Sequence, residues 1–176
     1  MGSEMCIRDR IIIDCDPGID DAVAIAMALF DPRLEVLAIT AAAGSVEASQ
    51  ATSNVTGIVG QLDPPRYPRI GKATPADSPP VGDDNLLHGP DGLGGLNFEP
   101  SGRQHQTPSE KVISELVHQH PNSITLVCLG PLTNLARLCQ RDPNAIPLIN
   151  NLVISGGSVN YPVSYTHLTL PTIYSV

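Results

Sequence analysis

Apolar positions in this chain fall into short β-branched runs separated by longer segments with a helical period, the pattern of strands alternating with helices. Ile11 to Ile13 is wholly apolar and ends in Asp14-Cys15-Asp16-Pro17-Gly18, which reads as a buried strand halted by a turn. From Ile19 to Phe30 every residue except Asp20 and Asp21 is apolar. Carboxylates in a first turn suit the helix dipole, so a helix is predicted there, stopped by Asp31-Pro32. Leu34 to Thr40 gives a second strand, broken by Ala41-Ala42-Ala43-Gly44-Ser45, and Ser49 to Gln61 a second helix. Between Asp63 and Pro108 frequent prolines interrupt everything except a brief strand near Arg69 to Gly71, and a loop this long in a compact domain is usually functional or mobile. Alternation resumes with a helix over Ser109 to His118, a strand over Ile124 to Leu129, a helix over Leu132 to Gln140 and a strand over Asn151 to Ser155. The fold class expected is α/β, with a mostly parallel, doubly wound, Rossmann-like sheet. In such sheets ligands collect at the carboxyl ends of the strands, which here read DCDPGIDD, TAAAGS, LGPLTN and SGGS.

Composition narrows the function classes. With 15 glycines and 17 prolines in 176 residues, long uninterrupted helices are excluded, while a hydrophobic share of 41% is enough for a core. The formal charge is −8 with no basic cluster, which repels phosphate backbones and anionic lipid, and Phe and Tyr are too few to stack bases. Nucleic acid and membrane partners are therefore not expected. No apolar stretch approaches the roughly 20 residues of a membrane span, and no signal-peptide pattern opens the chain, so a cytoplasmic location is expected. Cys6, Cys15, Cys128 and Cys139 lack CxxC spacing and read as reduced thiols. Met1 to Arg10 and Val163 to Val176 do not fit the alternating pattern. They are expected to be a non-native leader (1–10) and tail (163–176) flanking a genuine α/β segment over 11–162.

The chemistry concentrates in Asp14, Asp16, Asp20 and Asp21, four carboxylates at a strand-to-helix junction. Burying several like charges costs several kcal/mol per ion, and a hard divalent cation on carboxylate and carbonyl oxygens offsets that cost. Calcium or magnesium is implied, whereas zinc and copper call for His or Cys ligands that are not nearby. The plainer alternative is helix capping by Asp20 with exposed acids around it.

Asp14-Cys15-Asp16-Pro17-Gly18-Ile19-Asp20-Asp21-Ala22 closely resembles the amino-terminal signature of the inosine/uridine-preferring nucleoside hydrolases. The resemblance continues through Leu37-Ala38-Ile39-Thr40 with Gly44, His88-Gly89 with Asp91-Gly92-Leu93-Gly94, Gly130-Pro131-Leu132-Thr133-Asn134, and Ser155-Gly156-Gly157. It implies an incomplete sheet of the nucleoside hydrolase type, a Ca2+ cofactor, and hydrolysis of the N-glycosidic bond of a ribonucleoside to ribose and free base. Carried over by position, Asp16 and Asp21 match calcium-ligating carboxylates, Leu129 the carbonyl ligand and Asp20 the general base. Asp14 matches a residue supporting the site and its substrate. His88 reads either as a lining of the nucleoside pocket or as a solvent-facing loop residue, and Asn134 either as a turn residue or as a ligand contact. Ser45 stands where the family usually has a sugar-contacting Asn. The family's later Asn-x-Thr and Ala-Glu-Phe-Asn segment and its distal His-Asp pair are absent after Pro162, so this segment alone is expected to bind metal and substrate weakly and to lack activity. A homo-oligomer is expected for the full-length protein. Two alternatives stand beside this reading. One is a haloacid-dehalogenase-like phosphatase, which also opens on a strand followed by Asp-x-Asp. The other is a non-catalytic remnant that binds nucleoside or metal.

Overall fold

A computed structural model of the chain describes residues 8–75, 85–98 and 107–156. The tail over 163–176, Cys6 and most of the expected leader lie outside the described residues. Five parallel strands form one sheet in the order β3-β2-β1-β4-β5, comprising β1 (Asp9–Cys15), β2 (Leu34–Ala41), β3 (Arg69–Gly71), β4 (Ile124–Cys128) and β5 (Asn151–Ile154). The intervening helices are α1 (Ile19–Phe30), α2 (Ala48–Leu62), the short α3 (Asn85–His88), α4 (Ser109–Gln119) and α5 (Thr133–Arg141). This is the doubly wound α/β arrangement that the apolar pattern predicts.

Alternation along β1 builds both cores. Ile11, Ile13 and Cys15 pack under α1 and α2 with Ile25, Val55 and Val59. Ile12 points to the other face, where Val112, Val117, Leu126 and Leu138 pack from α4, β4 and α5. Both faces of the central strand are covered, which explains its unbroken run of isoleucines.

Several boundaries depart from expectation. The first strand opens at Asp9, inside the expected leader, because Arg10 pairs in register with Ile124 and its guanidinium meets Glu35. The helix α3 and a 3₁₀ turn over Pro143–Leu148 were not signalled, since proline-bearing segments this short carry no helical period. Helix α1 is apolar on every side, and its outward stripe of Ile19, Val23, Met27 and Phe30 is exposed. Among the described residues no helix is long and apolar enough to cross a membrane.

The strand order decides where a ligand can sit. From β1 the chain builds outward through β2 to β3, then returns to add β4 and β5 on the opposite side. The order thus reverses between β1 and β4, and in sheets of this kind ligands collect at the carboxyl ends of the strands at such a reversal.

Leu126 is fully buried in the second core. Leu126→Ala is expected to lower unfolding stability by about 3 kcal/mol in urea titration. Lys111→Ala, at a side chain 65% exposed, is expected to change it by less than about 0.5 kcal/mol.

Candidate active site

Asp14 ends β1 with its carboxylate inside the protein, 1% exposed. Oδ1 accepts hydrogen bonds from Thr40 Oγ1 at 2.6 Å and from Asn134 Nδ2 at 2.8 Å. The Asn134 amide also donates to the Ala41 carbonyl at 2.9 Å. One buried carboxylate thus fastens β1, β2 and the start of α5 together. Burial pushes its pKa up to about 7 against the pull of these two donors, and the charge of Asp16 adds to the rise. The leucine after β4 closes the same corner, its backbone N–H donating to the Asp14 carbonyl at 2.8 Å.

Asp16 is seated between two glycines from different loops. A Cβ on Gly44 would lie 2.2 Å from its Oδ2, and a Cβ on Gly130 would lie 2.2 Å from its Oδ1. Both positions require glycine for space, since neither has a positive φ. Ser45 fixes the orientation, donating to Oδ2 from its backbone N–H at 2.9 Å and from its hydroxyl at 3.0 Å. The loops after β1, β2 and β4 all meet on this one side chain.

Asp20 and Asp21 diverge at the start of α1. Asp21 turns inward, 6% exposed, and its Oδ2 accepts the backbone N–H of Gly18 at 3.2 Å, so a carboxylate in the first turn reaches back to cap its own helix. Burial again dominates its pKa, raised to about 6, with Asp16 and Asp20 adding to the rise while the Gly18 bond and His88 oppose it. Asp20 points outward with its side chain 80% exposed. Capping therefore belongs to Asp21 and not to Asp20. His88 lies beside the pair, its Nδ1 accepting the backbone N–H of Ile19 at 3.3 Å and standing 3.9 Å from Asp20 Oδ1.

The expected residues come from β1 and its loop (Asp14, Asp16), the first turn of α1 (Asp20, Asp21), the β2 loop (Ser45), α3 (His88), the residue after β4 (Leu129) and the start of α5 (Asn134), with Asp20 at the exposed rim. Their settings differ. The Asn134 side chain is 1% exposed and bonded to protein partners, and the Ser45 hydroxyl is turned to Asp16. The donors suit a hard cation in kind, being carboxylate and carbonyl oxygens, and the raised pKa values of Asp14 and Asp21 mark negative charge that a cation would offset. In number they fall short. Among the described residues no three His, Cys, Asp or Glu side chains form a metal-binding group, so a cation held here would need carbonyl, water or substrate oxygens as well.

Thr40, Asn54 and Asp91 escaped the sequence reading of the site. Each is a polar residue in an apolar or glycine-rich setting and each is buried, at 0%, 3% and 7% exposed. A polar residue at the end of an apolar strand, as with Thr40, was the available signal. A separate cavity of about 160 Å³ on the α4–α5 seam, lined by Glu110, Ser114, Leu138, Arg141 and Asp142 among others, shares no residue with the acidic cluster.

Comparison with known proteins identifies the class. Residues 11–169 match the family described as inosine-uridine preferring nucleoside hydrolase, and the chain belongs to that family. It is 36% identical over 155 residues to uridine nucleosidase 1 of Arabidopsis thaliana, covering 86% of this chain and 46% of the relative. It is 38% identical over 153 residues to the non-specific ribonucleoside hydrolase RihC of Escherichia coli O6:H1, covering 86% and 50%. A solved purine-preferring ribonucleoside hydrolase from Gardnerella vaginalis superposes with a TM-score of 0.77 at 26% identity, over 85% of this chain and 49% of the other. A plant nucleoside hydrolase, the PpNRh1 enzyme, gives 0.74 at 33% identity, over 85% and 48%. The chain spans about half the length of the curated relatives it matches.

Two expectations follow. Gly130→Ala would drive a methyl into Asp16, with the Asp16 backbone N only 2.7 Å from the new carbon, and is expected to cost about 1–3 kcal/mol in urea titration. The second concerns pH. Folded, Asp14 and Asp21 retain protons up to about 7 and about 6, whereas the unfolded chain releases them near 3.8. The folded state therefore binds more protons across this window, and stability without added divalent ions falls as pH rises through it. Carboxylates held low, such as Asp31 at about 2 beside Arg33, act below the window. The urea midpoint is expected to be higher near pH 5 than near pH 8, and Asp14→Asn is expected to flatten the difference. A midpoint that climbs over this range would contradict the assignment.

Proposed function

We propose that the chain carries the amino-terminal part of the active site of a ribonucleoside N-ribohydrolase, which cleaves the N-glycosidic bond to ribose and free base. The supporting observation is the seat of Asp16 between Gly44 and Gly130, at the carboxyl ends of β1 and β4, in a chain of this family. Family membership favours this over the phosphatase alternative.

Asp16, Asp21 and the carbonyl of Leu129 would hold Ca2+, with Asp14 and Ser45 fixing the loops that carry them. When bound, such an ion lowers the pKa of a coordinated water and gathers ribose hydroxyls. Asp20 and Asp16 are the two candidates for the proton acceptor, and their surroundings differ. Asp20, to which the resemblance gives the role, is 80% exposed at the rim beside His88. Asp16 faces the centre, oriented through Oδ2 by two donors from Ser45. A base must lie within hydrogen-bond reach of the water it deprotonates, which favours Asp16 and leaves Asp20 to meet ribose hydroxyls at the rim. His88 would line the nucleoside pocket beside it. The buried amide of Asn134 supports Asp14 in this scheme and reaches substrate only through it. A homo-oligomeric, cytoplasmic enzyme is the family-level expectation that accompanies the proposal.

Calorimetry with CaCl2 and reducing-sugar release from inosine and uridine test the reading. Calcium is expected to bind, with affinity falling as pH drops below about 6, because Asp21 must ionise to ligate. Asp16→Asn is expected to abolish binding. In the full-length enzyme, an Asp20→Asn variant that keeps calcium binding and KM but loses kcat would return the base to Asp20. Calcium binding with no ribose release would mark a non-catalytic remnant, and no calcium heat near pH 8 would overturn the metal site.

A further inference from the structure

A second loop packs against the acidic cluster, and one buried amide joins the two. Over residues 88–97 the chain folds around the Asp91 carboxylate, which accepts backbone N–H groups from Leu93 at 3.1 Å, Gly95 at 2.7 Å and Asn97 at 3.0 Å. Positive φ angles at Gly89, Gly92, Gly94 and Gly95 let the backbone turn tightly around this one side chain. Burial raises the Asp91 pKa, but these donors outweigh it and hold the carboxyl below its ordinary value.

Asn54, in the middle of α2, lies between this loop and Pro17. Its Nδ2 donates to the Asp91 carbonyl at 2.7 Å and reaches the Pro17 carbonyl at 3.5 Å. Its Oδ1 accepts from Gln50 Nε2 at 2.8 Å, so the amide is oriented by two acceptors on one side and a donor on the other. The space is full. A Cβ on Gly92 would lie 3.2 Å from Asn54 Nδ2, 3.2 Å from the Pro17 carbonyl and 2.8 Å from Val46 Cγ1. Pro17 is flanked by Asp16 and Gly18, and the loop's other end carries His88 against the Ile19 N–H. A ring whose Nδ1 accepts a hydrogen bond must carry its neutral proton on Nε2.

We infer that Asn54 is a positioning residue. Its amide locks the 88–97 loop to Pro17 and thereby holds His88 on the Ile19 N–H in its Nε2–H form, so that Nδ1, 3.9 Å from Asp20 Oδ1, is the ring's acceptor and Nε2–H its donor. The catalytic value of that donor rests on the nucleoside hydrolase reading above, while the joint itself does not.

The test uses the ¹⁵N-labelled chain near pH 8, where an ordinary imidazole is neutral. The long-range ¹H–¹⁵N spectrum of wild type is expected to show His88 as a single Nε2–H tautomer. Asn54→Leu, which keeps the volume and removes the donor, is expected to move His88 toward a tautomer mixture and to speed amide exchange at Gly95 and Asn97. Gly92→Ala attacks the same joint from the loop side without touching α2 and is expected to give the same change. Gln50→Leu removes only the outer support and is expected to leave the His88 signals in place. Circular dichroism identifies the variants that retain the fold. If either joint variant is folded and its His88 signals match wild type, the inference is overturned. Should the tautomer respond while the full-length enzyme releases no ribose from inosine or uridine, the joint stands and the catalytic reading fails.

Discussion

The structure turns on the burial of negative charge at the point where the strand order reverses. Asp14 and Asp21 are nearly shielded from water and Asp16 is partly so, and the hydrogen-bond donors described for them are neutral. Thr40 and Asn134 hold Asp14, Ser45 holds Asp16, and the Gly18 N–H holds Asp21. Neutral donors moderate such charges without cancelling them, so Asp14 and Asp21 remain above their ordinary pKa range. Buried carboxylates of this kind are a liability for folding, and that is the cost the proposed cation would offset.

Much of the fold is legible in the chain because its signals are local. Ile11 to Ile13 can be buried on both faces only as a central strand, and the helix after Gly18 announces itself through two acids followed by nine apolar residues. The acidic spacing marks the candidate site for the same reason. Side-chain roles are less legible, because they depend on contacts between segments far apart in sequence. No local pattern tells Asn134 that its amide belongs to Asp14, or tells Ser45 that its hydroxyl meets Asp16. Asp20 and Asp21 are neighbours of one type, and only the helical turn sends the first to solvent and the second to the Gly18 N–H.

The proline-rich stretch divides in a way that composition does not disclose. Its described portion over 88–97 is dense with hydrogen bonds, organised around one carboxylate and secured to α2 by one amide. Glycines there and in the neighbouring loops act in two physical roles. Gly89, Gly92, Gly94 and Gly95 supply backbone angles, whereas Gly44 and Gly130 supply room for Asp16. A glycine count cannot separate a hinge from a socket.

Because β1 lies between β2 and β4, the cluster exists only after the chain has closed on itself over a long distance. Asp14 and Asn134 are 120 positions apart. The entropy of bringing such remote segments together is lost before their contacts repay it, which slows sheets of this topology. The β1–α1–β2 unit can assemble early, but the socket for Asp16 cannot close until β4 arrives. Closure of that socket is therefore a late and cooperative event in the life of each newly made chain.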